Sequence, residues 1–293
     1  MCARCSRCAT WLLLALLAAA AGACSEDGSA CGDAAPDVSR ELGLGDGPHV
    51  ERALGDGPLA DLGNDADVAS GDASGPVRLF VFSRTQAFRH GSIGAGVNLI
   101  KDIAARRGWL VDHSEDATRF TATNLAQYRV VVWLNTSGDV LDSAQQTAFE
   151  GYIKAGGAYV GVHAASDTEY DWAWYGQLVG AYFKRHPQIQ GATLHVETNS
   201  HPATAKLTDP WMRTDEWYDF QTNPRPNVTV LLTIDEASYS GGAMGNDHPI
   251  AWAHTFDGGR AFYTAMGHTD ATYSEADFIA HLEGGIAWAA GVP

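Results

Sequence analysis

The sequence predicts an α/β domain over residues 77–293, a mostly parallel sheet flanked by helices with a late β-hairpin. Three observations carry this expectation. Short apolar runs alternate with stretches of three- and four-residue apolar spacing, the pattern of strands followed by helices. The runs are almost continuously apolar, which suits strands covered on both faces. Two later runs flank Asp257-Gly258-Gly259, a hairpin turn.

The elements follow in order. Val77 to Phe82 reads as a buried strand. Ser92 to Arg107 carries Ile93, Val97, Ile100 and Ile103 at helical spacing, and Gly108 ends it. Trp109 to His113 is a second strand, and Asn124 to Tyr128 a short helical turn. Arg129 to Leu134 is a third strand. Asp142 to Lys154 is a helix, with Asp142 as N-cap and Gly156-Gly157 beyond its end. Ala158 to Val162 is a fourth strand, stopping at His163. Gln190 to Thr198 and Val228 to Ile234 read as further strands. Pro249 to His254 and Arg260 to Met266 form the hairpin, and Glu275 to Ala290 is a closing helix.

The first 76 residues differ in kind. Arg4 and Arg7 precede an apolar stretch, Trp11 to Ala20, too short to span a bilayer. Residues 1–23 are therefore expected to be a signal peptide. Ala21-Gly22-Ala23-Cys24 resembles a lipobox, with Ala21 where Leu is usual, so Cys24 is the expected lipidation site. The alternative is plain secretion. Residues 24–76 hold 12 acidic and 2 basic residues and no aromatics. That composition predicts a disordered acidic tether. The expected location is the extracytoplasmic side of a bacterial cell envelope, with a lipid anchor in the membrane.

Composition also excludes. All five cysteines lie before residue 32, so the domain has no thiol nucleophile and no thiolate metal site. Residues 77–293 carry 23 acidic and 15 basic residues, which removes the basic surface nucleic-acid binding requires.

Histidines at strand ends carry the chemistry. In parallel sheets ligands bind beyond the carboxyl ends of the strands. His90 follows strand one, His163 ends strand four, and Asp167 and Glu169 come just after. His254 and His268 end the two arms of the hairpin region, and Asp215-Glu216 precedes Trp217-Tyr218. The expected catalytic residues are His163, His90, Asp167 and Glu216. Metal-free acid–base chemistry stays open beside a divalent metal such as zinc on His163, His254 and His268. Arg89, Trp174, Tyr175, Trp217 and His268 are the expected substrate contacts. Trp172, Tyr175 and Val179 also fall at helical spacing, which suits a core face equally.

Together these residues resemble the ThuA-like, or trehalose-utilisation, family. The matching pieces are Phe88-Arg89-His90, Gly156-Gly157 through Val162-His163-Ala164-Ala165, Trp174-Tyr175, Gly180-Ala181-Tyr182-Phe183, His186-Pro187, Asp215-Glu216-Trp217-Tyr218, and Pro249-Ile250-Ala251-Trp252 through Gly267-His268. The resemblance implies a flavodoxin-like fold related to class I glutamine amidotransferases, and a link to sugar use. Glutamine amidotransfer itself is excluded, because His163 stands where that chemistry needs a cysteine. The expected function is an exported enzyme acting on a disaccharide or keto-sugar. The competing expectation is a sugar-binding surface lipoprotein without catalysis.

Overall fold

The computed structural model describes residues 75–293. The expected signal peptide, tether and Cys24 lie outside the described residues.

The parallel half follows the expected alternation: β1 (Arg78–Phe82), α1 (Ile93–Arg107), β2 (Leu110–Ser114), α2 (Ala122–Leu125), β3 (Val130–Leu134), α3 (Ser143–Lys154) and β4 (Ala158–Val162). β3 and β4 are buried at every residue, whereas the edge strand β2 is half-exposed. Gly108 ends α1 at φ 68, a left-handed cap. At α3, Asp142 and Gln145 form a reciprocal capping box.

Next come α4 (Ala173–Val179), β5 (Phe183–Arg185), β6 (Gln190–Val196), β7 (Trp211–Asp215) and β8 (Asp219–Phe220). β9 (Thr229–Ile234), β10 (Pro249–Phe256), β11 (Gly259–Thr264) and α5 (Ala276–Ala290) complete the chain. The main sheet has the order β2-β1-β3-β4-β11-β10-β9-β6-β7. Its first five strands are parallel, and β10, β9, β6 and β7 continue it antiparallel. β5 and β8 pair separately. Among the described residues no helix is long and apolar enough to cross a membrane.

Two features place the site. Strand order reverses between β1 and β3, so a crevice opens beyond their carboxyl ends. The antiparallel half also curls. β7 lies four strands from β11, which is about 19 Å in a flat sheet. Yet Asp215, the last residue of β7, accepts hydrogen bonds from Gly267 (3.0 Å) and His268 (3.1 Å), just past β11. The end of β7 therefore returns over the carboxyl edge of the parallel strands.

Candidate functional site

His163 leaves β4 with φ 50, a left-handed conformation that costs a non-glycine residue about 1–2 kcal/mol. The backbone turns there into a short 3-10 segment, His163–Ser166. The imidazole is fully buried. Its Nδ1–H donates to the Ala265 carbonyl at 2.6 Å, because a carbonyl can only accept. Nε2 faces the other groups, 3.4 Å from Glu216 Oε2 and 3.3 Å from His268 Nδ1. The Tyr218 ring lies over His163 at a centroid distance of 4.3 Å.

Glu216 arrives from β7 and His268 from β11. Asp215 holds both, since its carboxylate accepts from the backbone N–H groups of Glu216, Gly267 and His268. The Thr272 hydroxyl and Arg213 complete its partners. Gly267 has φ 130, and a Cβ there would stand 2.8 Å from the Tyr273 hydroxyl, so only glycine suits this approach. Glu216 Oε2 sits 3.0 Å from His268 Nδ1, and Oε1 sits 3.1 Å from His186 Nδ1. His90, from the loop after β1, meets His163 and His268 edge to face at 4.7 and 5.0 Å.

Burial acts to raise the Glu216 carboxyl, but hydrogen bonds to His163 and His268 and their charge hold it well below the usual carboxylate range. The same hydrogen bond with Glu216 raises His268. Burial, reinforced by the charges of His163 and His268, pushes His90 down to about 3, so it is neutral at physiological pH. Burial raises Asp167, against a hydrogen bond from Tyr170 (2.6 Å).

Of the residues expected from sequence, the structure brings His90, His163, His268 and Glu216 together, with Asp167 just beyond the turn. It takes others elsewhere. His254 pairs with Ala261, which is level with Tyr159 on β4. That is four residues, about 13 Å, short of His163. The reason is direction: the arms of a hairpin are antiparallel, so their ends lie at opposite edges of the sheet. His254 bonds the Gln177 carbonyl instead. Arg89 pairs with Glu115 at 2.7 Å. Trp174 donates to Asp257 and packs on Trp172 and Phe256. Tyr175 is core, bonded to Tyr159 and the Ala165 carbonyl. Trp217 is buried, with its indole N–H on the Gln190 carbonyl. His186, Asp215 and Tyr218, which the sequence places beside the candidates without a role of their own, also stand at the cluster. The buried–exposed alternation of Trp211–Asp215 is hidden in the sequence, because the buried positions are Trp211, Arg213 and Asp215 and the exposed ones Met212 and Thr214.

The profile of the ThuA family, described as trehalose utilisation, matches residues 78–289. The chain belongs to the ThuA family. Its family description points to a carbohydrate-related role. A solved ThuA-like protein from Bacteroides uniformis ATCC 8492 is 25% identical with a TM-score of 0.65, covering 75% of this chain and 94% of its own. One from Parabacteroides merdae ATCC 43184 is 21% identical with a TM-score of 0.63, covering 74% and 91%. A cytoplasmic protein of Salmonella typhimurium LT2, 11% identical, has a TM-score of 0.54 and covers 73% and 99%. The latter two show the flavodoxin-like fold alone. Among curated proteins, none matches the chain.

Proposed function

We propose that this ThuA family member is an exported enzyme acting on a disaccharide or keto-sugar, with its chemistry centred on His163, Glu216 and Asp167. One observation carries the reading: three imidazoles and a carboxylate converge beyond the carboxyl ends of β1, β4, β7 and β11. Two carboxyl groups at that edge are driven apart, Asp167 upward by burial and Glu216 downward by its histidines. Such a split is what acid–base chemistry needs. Glu216 stays ionised and orients His163 and His268, while Asp167 is the group suited to hold a proton for a leaving oxygen. Phe88 is 63% exposed and edge-on to His90, offering an apolar face to a sugar ring.

The test is a mass-spectrometric screen of plain and keto-disaccharides. Glu216→Gln and Asp167→Asn should each lower turnover by about 10²–10⁴-fold and keep most of the affinity. A protein that binds a sugar without converting it, and loses that binding in both variants, is instead a sugar-binding surface lipoprotein. The location proposed is lipid-anchored through Cys24, facing an extracytoplasmic space. A palmitate analogue should label the wild type and not Cys24→Ser. Label on both would refute the anchor at Cys24, and label on neither would leave plain secretion.

A further inference from the structure

We propose that His90, His163, His268 and Glu216 bind one divalent transition-metal ion. Each offers one ligand atom, and these atoms lie within 4.8 Å of one another. Glu216 Oε2, His268 Nδ1 and His163 Nε2 are separated by 3.0, 3.3 and 3.4 Å. Two ligand atoms, each about 2.1 Å from a tetrahedral ion, stand about 3.4 Å apart. Three of the four groups are therefore already at ligand spacing.

Hydrogen bonding alone accounts for those three distances, so His90 decides between the two explanations. It is 4% exposed, and its Nδ1 is buried without a partner. Four histidines are buried among the described residues: His90, His163, His248 and His281. The other three each anchor at least one ring nitrogen. His90 anchors neither, although a buried polar group left unsatisfied costs about 1–3 kcal/mol. A shared ion gives it the missing partner.

The surroundings suit an ion. Ala265 fixes the His163 tautomer so that Nε2 faces the cluster. His186 holds Glu216 Oε1, which frees Oε2. Asp215 pins the backbone of Glu216 and His268. Three imidazoles and a carboxylate with no sulfur favour zinc, iron, cobalt, nickel or manganese over calcium and magnesium. Four protein ligands fill a tetrahedron. A substrate oxygen would then enter only if the ion expands to five or six positions. The site stands independently of whether a sugar is converted.

The experiment uses the full chain without a His-tag, stripped by chelator and titrated with Co²⁺ while its visible absorption is followed. One Co²⁺ per chain, displaced by Zn²⁺, is expected. Glu216→Gln, nearly isosteric and so a guard against misfolding, and His268→Gln should each weaken binding on the order of 100-fold or more. His254→Gln and His248→Gln should leave it unchanged. The proposal is overturned if the wild type takes up well under one equivalent. It is also overturned if binding survives both ligand substitutions, or is lost only in His248→Gln.

Discussion

Two histidine–carboxylate clusters lie either side of Tyr218, and they differ in one respect. Tyr218 covers His163 with its ring and accepts from His248 Nε2–H through its carbonyl at 2.8 Å. Around His248 both ring nitrogens are bonded, although Asp219 Oδ2 has only the Arg185 charge beside it. His248 Nδ1 meets Glu236 at 2.9 Å and Tyr239 at 3.2 Å. Glu236 also takes the Met244 N–H, while Asp219 takes the Ala243 N–H and pairs with Arg185. Around His163 the same residue types leave His90 with no partner. A closed cluster fastens a loop, whereas an open one keeps a valence for a ligand. Asp219, Glu236 and His248 also meet the distance requirement for a cation, so spacing alone does not discriminate. The accounting of donors and acceptors does.

The largest effect that would sharpen this contrast is expected at Asp215. Its carboxylate gathers three backbone N–H groups, the Thr272 hydroxyl and the Arg213 guanidinium, whose side chain is also buried. Asp215→Asn keeps the shape and removes the charge. It should cost about 3–5 kcal/mol in urea unfolding, as for a buried ion pair that loses one member. Co²⁺ affinity should fall about 10–100-fold, because the backbone of two ligands is released. A stability loss with unchanged ion affinity would show that Asp215 supports the fold without setting ligand geometry.

Much of this arrangement is legible in the sequence, for physical reasons. The strand Ala158–Val162 and the capped helix at Asp142 are marked by composition and capping chemistry within a few residues. β5 and β8, three and two residues long, are too short to show any period. His163 and His268 are visible as polar residues closing apolar runs, whereas His90 and Glu216 stand in polar stretches beside strand ends. That β7 curls over β11 is a property of the whole sheet, and no local pattern encodes it. In sequence His254 and His268 both close a hairpin arm, but the arms run antiparallel and so place the two at opposite edges.

A second prediction contrasts the open site with a buried histidine that faces no carboxylate. His281 donates from Nδ1 to the Ala203 carbonyl and is enclosed by Phe262 and Phe278. Burial lowers it to about 3, below its usual 6.5. Above pH 6.5 it is neutral in both folded and unfolded chains, and its contribution is complete. Between pH 6.5 and about 3 only the unfolded chain takes the proton, so stability falls as pH falls. The slope approaches ~1.4 kcal/mol per pH unit. His281→Gln keeps a donor and should flatten the stability profile between pH 6 and pH 4. An unchanged slope would place the acid sensitivity in other groups.

A third substitution probes the closed cluster directly. His248→Gln removes partners from Glu236 and Tyr239 and weakens the contact to Tyr218. A loss of about 1–3 kcal/mol is expected in thermal or urea unfolding, with the Co²⁺ titration unaltered. If ion affinity fell as well, the two clusters would be coupled through Tyr218, and the division between closed and open would not hold.

The smallest effect is expected at Arg89, one residue from His90. Its guanidinium pairs with Glu115 and stays 53% exposed. The hydrogen bond with Glu115 raises Arg89 and, in return, lowers Glu115. Water and salt screen such a pair, so Arg89→Ala should change stability by less than about 1 kcal/mol. Its backbone continues into His90, but its side-chain hydrogen bonds go to Thr85 and Glu115 and to none of the four proposed ligands. Co²⁺ affinity and sugar turnover should therefore both stay within about twofold of wild type. A tenfold change in either would mean that the Arg89–Glu115 pair fixes the loop carrying His90. The site would then extend outward along β1, and His90 would be held by that loop as well as by the rings it meets.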